Sequence, residues 1–144
     1  MLRGIAYSKA GDPAAAQRDF VAAAAQAKTA SDYNSLCWAK ATRGVALGLA
    51  FDECSKAIKL ASRNAAILDS RGLVNLKLGH LDAAIADYTS ALAISPKQAA
   101  SLYGRAVTWS RKGDAARAVT DRDAAERSYR KIAEEFLRYG IARP

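Results

Sequence analysis

The residues of this chain best suited to chemistry are two cysteines, one histidine and two adjacent glutamates. Cys37 and Cys54 would need a neighbouring base to act as nucleophiles, and His80, the only histidine, is predicted to lie in an exposed turn. Glu134 and Glu135 are consecutive on a predicted helix, so they cannot face one another as a carboxylate dyad. Two cysteines and one histidine cannot complete a four-ligand zinc site, and no glycine-rich phosphate loop is present. The sequence therefore predicts no enzyme activity, no metal and no cofactor.

Composition favours a helical protein. Of the 144 residues 34 are alanine, which has the highest helix propensity, whereas only 9 are glycine and 3 are proline. No apolar run approaches the roughly 18 residues that a membrane-spanning helix needs. The first residues do not show the layout of a secretory signal. The predicted fold class is therefore all-α, without a membrane span.

A period of 34 residues organises the chain. Alanine recurs in two columns, at Ala16, Ala50, Ala84 and Ala118 and at Ala23, Ala57, Ala91 and Ala125. A basic column contains Lys9, Arg43, Lys77 and Arg111, and an acidic column contains Asp19, Glu53, Asp87 and Asp121. Such self-similarity predicts stacked copies of one supersecondary unit.

The third unit carries a specific motif: Leu68-x2-Arg71-Gly72-x2-Asn75, then Ala84-x3-Tyr88, Ala91 and Pro96. With this pattern the chain resembles the tetratricopeptide repeat (TPR) family of bacterial proteins. The first and fourth units share the motif in part, whereas the second has Trp38 in the column of small residues. The resemblance implies a right-handed α-solenoid of antiparallel helix pairs that acts as a non-enzymatic scaffold for protein–protein interaction.

The period sets the expected boundaries within one TPR domain spanning 1–144. The repeats are predicted at about 1–30, 31–64, 65–98 and 99–132. The helix pairs are predicted at 2–10 with 13–28, 32–43 with 48–61, 65–78 with 81–94, and 99–112 with 115–128. A terminal helix over about 130–139, with apolar residues Ile132, Phe136 and Tyr139 at helical spacing, is expected to cap the last repeat.

Arginine and aspartate columns 16 positions apart are expected to pair across each helix hairpin, as in Arg71 with Asp87. The second repeat departs from this pattern because Cys37 replaces the arginine and Cys54 replaces an aromatic residue. Both cysteines are expected in the same small core, either as two buried thiols or as a disulfide. A disulfide would indicate an oxidising compartment.

The resemblance also implies that the first helix of each pair lines a concave groove. By register, the groove candidates are Ile5, Ser8, Lys9, Ser35, Ala39, Thr42, Arg43, Asp69, Leu73, Leu76, Lys77, Tyr103, Val107, Ser110 and Arg111. This mixture of apolar contacts and cations suits an extended, partly acidic peptide. The alternative interpretation is that the basic column is only solvated surface and contacts no ligand. Asparagines that grip a chaperone's C-terminal carboxylate are missing from the groove, so such binding is not expected.

Three further interpretations concern partners and compartment. The net charge of +8 suits nucleic acid, but the cations are scattered without a recognition motif, so this interpretation is less favoured. The chain begins inside the first repeat, which suggests an accessory domain of a longer exported protein, since similar bacterial segments follow an aspartic-protease-like domain. That origin would favour a periplasmic or exported location, with a cytoplasmic one as the alternative. The open first repeat could also support self-association.

Overall fold

The computed structural model describes residues 1–144 as nine α-helices without a β-strand. Their bounds differ by at most two residues from those expected from the 34-residue period. The helices are α1 (Leu2–Lys9), α2 (Pro13–Gln26), α3 (Ala30–Arg43), α4 (Leu47–Leu60), α5 (Ala65–Leu78), α6 (Leu81–Ile94), α7 (Ala99–Arg111), α8 (Ala115–Ser128) and α9 (Ile132–Arg138). None of these helices is both long enough and apolar enough to cross a membrane.

Local sequence signals account for the helix ends. Thr29 and Asp32 form a reciprocal capping box at the start of α3, and the side chain of Asn64 accepts backbone hydrogen bonds at the start of α5. Gly44 and Gly79 end α3 and α5 in the left-handed conformation that glycine adopts without steric cost. The sequence thus determines the alternation of helix and tight turn.

Consecutive helices pack as antiparallel pairs, and each pair stacks on the next to form a helical solenoid. From the second pair onward, one continuous apolar core runs through the molecule. The first pair is joined less closely, because α2 makes few contacts with α3. Its apolar residues Ile5, Ala16 and Phe20 form a small separate cluster. This cluster packs against Ala39 and Leu49 of the second pair.

Close packing within and between the pairs depends on small residues opposite aromatic ones. A Cβ atom added to Gly72 would lie 2.7 Å from the ring of Tyr88. A Cβ atom added to Gly104, on the next pair, would also clash with the ring of Tyr88. Tyr88 is almost fully buried, so its ring fills the space that these two glycines leave free.

Three ion pairs expected from the 34-residue period are confirmed. Arg71 and Arg105 each make two hydrogen bonds to the aspartate 16 positions later, with distances between 2.7 and 2.9 Å. Arg3 makes the same bidentate contact with Asp19, but its side chain is 74% exposed. Since exposed pairs contribute only about 0–1 kcal/mol, the contact of Arg3 mainly aligns α1 with α2.

The second pair replaces this ion pair with two other links. The structure joins Cys37 and Cys54 as a disulfide, with their Cα atoms 5.5 Å apart. Glu53, which lacks an arginine at its usual partner position, instead accepts two hydrogen bonds of 2.7 Å from the Lys40 ammonium. Burial lowers the pKa of Lys40 and raises the pKa of Glu53, while their mutual attraction opposes both shifts. The unusual residues of this repeat therefore compensate for one another.

Candidate binding groove

Helices α3, α5 and α7 pack against one another, whereas the second helices of successive pairs make few mutual contacts, so the first helices α1, α3, α5 and α7 line the inner, concave side. Helix α5 lies between α3 and α7 and packs against both. The C-terminal segment, defined here as residues 129–144, folds back onto this side. The candidate groove is therefore a surface of the solenoid that the chain itself partly covers.

The predicted groove residues fall into two groups by exposure. One group is buried: Ile5, Asp69, Leu73, Leu76, Tyr103 and Val107. The other group is half-buried or exposed: Ser8, Lys9, Ser35, Ala39, Thr42, Arg43, Lys77, Ser110 and Arg111. Ile5 is buried within the first helix pair, whereas the apolar candidates of α5 and α7 share the main core with the C-terminal segment. The concave side thus has a covered half near α5 and α7 and an open half near α1 and α3.

The C-terminal segment crosses three helices of the concave side. The Phe136 ring lies 4.9 Å from that of Tyr103 on α7, between centroids. The Tyr139 ring meets Trp38 on α3 edge-on at 5.5 Å. Between them, the Lys77 ammonium on α5 donates a hydrogen bond to the Tyr139 carbonyl oxygen at 2.5 Å. The segment therefore reaches from the fourth repeat back to the second.

The path of this segment follows from its two ends. Helix α8 ends at Ser128, and the extended Tyr129 (φ −152°, ψ 105°) redirects the chain. After α9, Gly140 adopts a positive φ of 76°. The backbone N–H of Ile141 then bonds to the carbonyl oxygen of Phe136, which turns Ile141 into the core. Helix α9 packs against α7 and α8, as a terminal cap would, and also extends into the groove.

The basic column has a structural role that the sequence did not reveal. Lys77 donates a hydrogen bond of 3.4 Å to the carbonyl oxygen of Thr42, and Arg111 donates one of 3.1 Å to the carbonyl oxygen of Leu76. Each acceptor lies 35 positions earlier, near the C-terminal end of the preceding first helix. Cations are favourable there because these carbonyls lack helical partners and the helix dipole is negative. Arg43 instead bonds within its own helix, to the Ala39 carbonyl oxygen.

Asp69 is a buried acid in the covered half of the groove. Its carboxylate accepts a hydrogen bond of 2.6 Å from the hydroxyl of Ser101. Burial raises the pKa of Asp69 to about 6, and the negative charge of Glu135 on α9 acts in the same direction. The covered half therefore combines an apolar surface with one acid that disfavours a second negative charge.

Sequence reasoning missed four residues that join the concave side: Trp38, Phe136, Tyr139 and Ile141. The signals were present in the bulky Trp38 in a column of small residues and in the apolar spacing of α9. Those signals indicate burial, but they do not indicate which surface provides it.

The groove residues carry no arrangement for catalysis. His80 is exposed at the start of α6, and both cysteines belong to the disulfide. The one strongly perturbed acid, Asp69, bonds only to Ser101.

Comparison with known proteins agrees with this fold. A family model described as tetratricopeptide repeat matches residues 65–98. No curated protein sequence matches the chain significantly.

Solved structures match over most of the chain. MamA is 24% identical, with 91% of this chain and 77% of that chain covered and a TM-score of 0.67. YrrB, described as a TPR protein with an unusual peptide-binding site, is 18% identical, with 93% and 69% covered and a TM-score of 0.70. A tetratricopeptide repeat protein from Parabacteroides merdae is 21% identical, with 96% and 55% covered and a TM-score of 0.65. Residues 65–98 therefore match a tetratricopeptide repeat, and the chain as a whole shares the helical-repeat fold of these three structures.

Proposed function

We propose that this protein is a non-enzymatic interaction module that holds a segment of a partner protein on its concave side. One observation carries the proposal: half of that side already holds a polypeptide segment, residues 132–141 of the chain itself, through apolar burial and a hydrogen bond from Lys77. Helix-in-groove packing is a common mode of protein recognition. The peptide-binding site described for YrrB is consistent with such a role.

The open half of the groove supplies the first surface for a partner. Lys9 and Arg43 are exposed there and make no salt bridge, and Ser35 and Ala39 lie beside them on α3. Two exposed cations without a carboxylate partner favour an extended segment with acidic side chains, which the net charge of +8 would also attract over a distance.

A charge-reversal experiment tests this function. The parent chain and a Lys9→Glu/Arg43→Glu variant would be used to capture partners from a bacterial lysate. The matched control is Arg18→Glu/Lys59→Glu, because both residues are exposed on second helices and the change in net charge is the same. A protein retained by the parent and the control but lost by the variant supports the open half as the binding surface. Equal capture by all three chains argues against it.

A second candidate is an accessory domain within a longer exported protein. The observation that favours it is the disulfide between Cys37 and Cys54, since such bonds persist in oxidising compartments. The test is thiol labelling of the chain in its native cells. Two blocked cysteines would support export, and two free thiols would favour a reducing compartment.

A further inference from the structure

We propose that the C-terminal segment is an internal ligand of the covered half of the groove, and that a partner helix of the same chemistry binds there by displacing it. That partner is an amphipathic helix with an apolar residue followed by aromatic residues four and seven positions later. This inference rests on the proposed function and names the kind of partner it involves.

The segment is amphipathic in the way that a groove ligand must be. Ile132, Phe136 and Ile141 are each at most 3% exposed. On the other side of α9, Glu134 and Arg138 are exposed, and Leu137 is 48% exposed. The contacts therefore depend on a few anchors on one face, as in recognition of a helix by a groove.

The segment covers only part of the end of the solenoid. In the third repeat, Tyr88 packs against Gly104 of the following pair. The residue at the same position of the fourth repeat, on α8, is Arg122, which donates a hydrogen bond of 2.8 Å to Asp123. Val119 on α8 is left 44% exposed although α9 is close in sequence. Helix α8 is already polar where another repeat would pack. Helix α9 is therefore available to the groove.

The groove also contacts the end of the bound helix by a polar group. Tyr139 is the C-terminal capping residue of α9, and its carbonyl oxygen receives the hydrogen bond from Lys77. The carbonyls at a helix C-terminus lack internal partners and carry partial negative charge. Lys77 therefore favours a helix that ends at this point, whether that helix belongs to this chain or to a partner.

Two features make the segment replaceable. Helix α9 has only 7 residues, and a helix that short is unstable without its packing surface, so it opens at lower cost than the core helices. The Tyr139 hydroxyl also donates its hydrogen bond to the Glu135 carboxylate, so this polar contact is made within the segment and not with the groove.

The test uses the full chain and a fluorescein-labelled peptide of residues 129–144. One variant, Phe136→Ala/Tyr139→Ala, weakens the internal anchors. Its matched control, Leu137→Ala/Arg138→Ala, changes exposed residues of the same helix. The loosened variant should bind the peptide at least ten-fold more tightly than the parent or the control does. A peptide that carries both alanine substitutions should not bind.

A second measurement covers the case in which the loosened variant does not fold. Excess peptide added to the parent chain should accelerate hydrogen exchange of the chain's own residues 132–139, because the peptide takes their place in the groove.

Three outcomes would overturn the inference. One is no peptide binding by a folded loosened variant, and a second is no change in the exchange of the parent. A third is a parent chain that forms a dimer by exchanging C-terminal segments, since the ligand would then come from a second copy. If any of these occurs while Lys9 and Arg43 still govern partner capture, the proposed function stands without this inference.

Discussion

Lys77 on α5 bonds to the carbonyl oxygen of Tyr139, 62 positions later in the chain, and the same ammonium bonds to the Thr42 carbonyl oxygen on α3. One side chain thus joins two successive repeats to the C-terminal segment. Burial lowers the pKa of Lys77, which is the cost of placing the ammonium between the helices. The hydrogen bonds to two carbonyl oxygens offset that cost.

The disulfide of the second repeat leads to the first prediction. A Cys37→Ala/Cys54→Ala variant should lose about 2–4 kcal/mol of unfolding free energy, because the cross-link restricts the unfolded chain. Chemical denaturation with and without a reducing agent measures the effect. The reducing agent should weaken the parent and leave the variant unchanged. Two titratable thiols in the unfolded, unreduced parent would contradict the bond.

The ion pair between Lys40 and Glu53 leads to the second prediction. The two side chains are 0% and 6% exposed, so removing one partner leaves a buried charge without compensation. Lys40→Met should therefore cost about 3–5 kcal/mol, whereas Lys40→Met/Glu53→Met should cost less than the single change.

Urea denaturation of the single and double variants measures this coupling. Arg3→Met serves as the control, because the exposed pair with Asp19 should contribute at most about 1 kcal/mol. If the double variant lost as much unfolding free energy as Lys40→Met and Glu53→Met lose in sum, the two side chains would not be coupled.

The contact between Gly72 and Tyr88 leads to the third prediction. Gly72→Ala places a methyl group against the Tyr88 ring and should destabilise the chain by about 1–3 kcal/mol through overpacking. Gly48 on α4 has nothing within 4 Å of an added Cβ, so Gly48→Ala should stabilise by about 0.5–1 kcal/mol. Thermal unfolding compares the two. A shift of both variants in the same direction would disprove this steric account.

The buried acid Asp69 leads to a prediction about pH. Its pKa is raised from 3.8 to about 6, so the folded chain holds this proton more tightly than the unfolded chain. The contribution to stability is complete below about pH 4 and is lost as the pH rises through about 6, with a total on the order of 3 kcal/mol.

Asp69→Asn removes the ionisation while keeping an acceptor for Ser101. The variant should gain stability relative to the parent as the pH rises from 4 to 7, measured by denaturation at each pH. Ser101→Ala is a useful comparison, since it removes the hydrogen bond but keeps the acid. Parallel stability profiles for Asp69→Asn and the parent would show that Asp69 does not titrate in this range.

Most of the solenoid follows from local rules that the sequence expresses directly. The 34-residue period, the caps at Thr29 and Asn64 and the turns at Gly44 and Gly79 determine where helices begin and end. The pairing of Arg71 with Asp87 was also predictable, because a fixed spacing across a short hairpin brings the two side chains together. The basic column was visible as well, but its partners are main-chain carbonyls of the preceding repeat, which carry no residue-specific signal.

The state of the groove was decided by tertiary structure alone. The sequence determined that the C-terminal segment is a short amphipathic helix, since Ile132 and Phe136 lie on one face. It did not determine that this face would pack against Tyr103 and leave Tyr139 beside Trp38. Helical periodicity specifies which residues are buried. The surface that buries them depends on which apolar area the other helices leave uncovered, and that area exists only once the repeats have stacked.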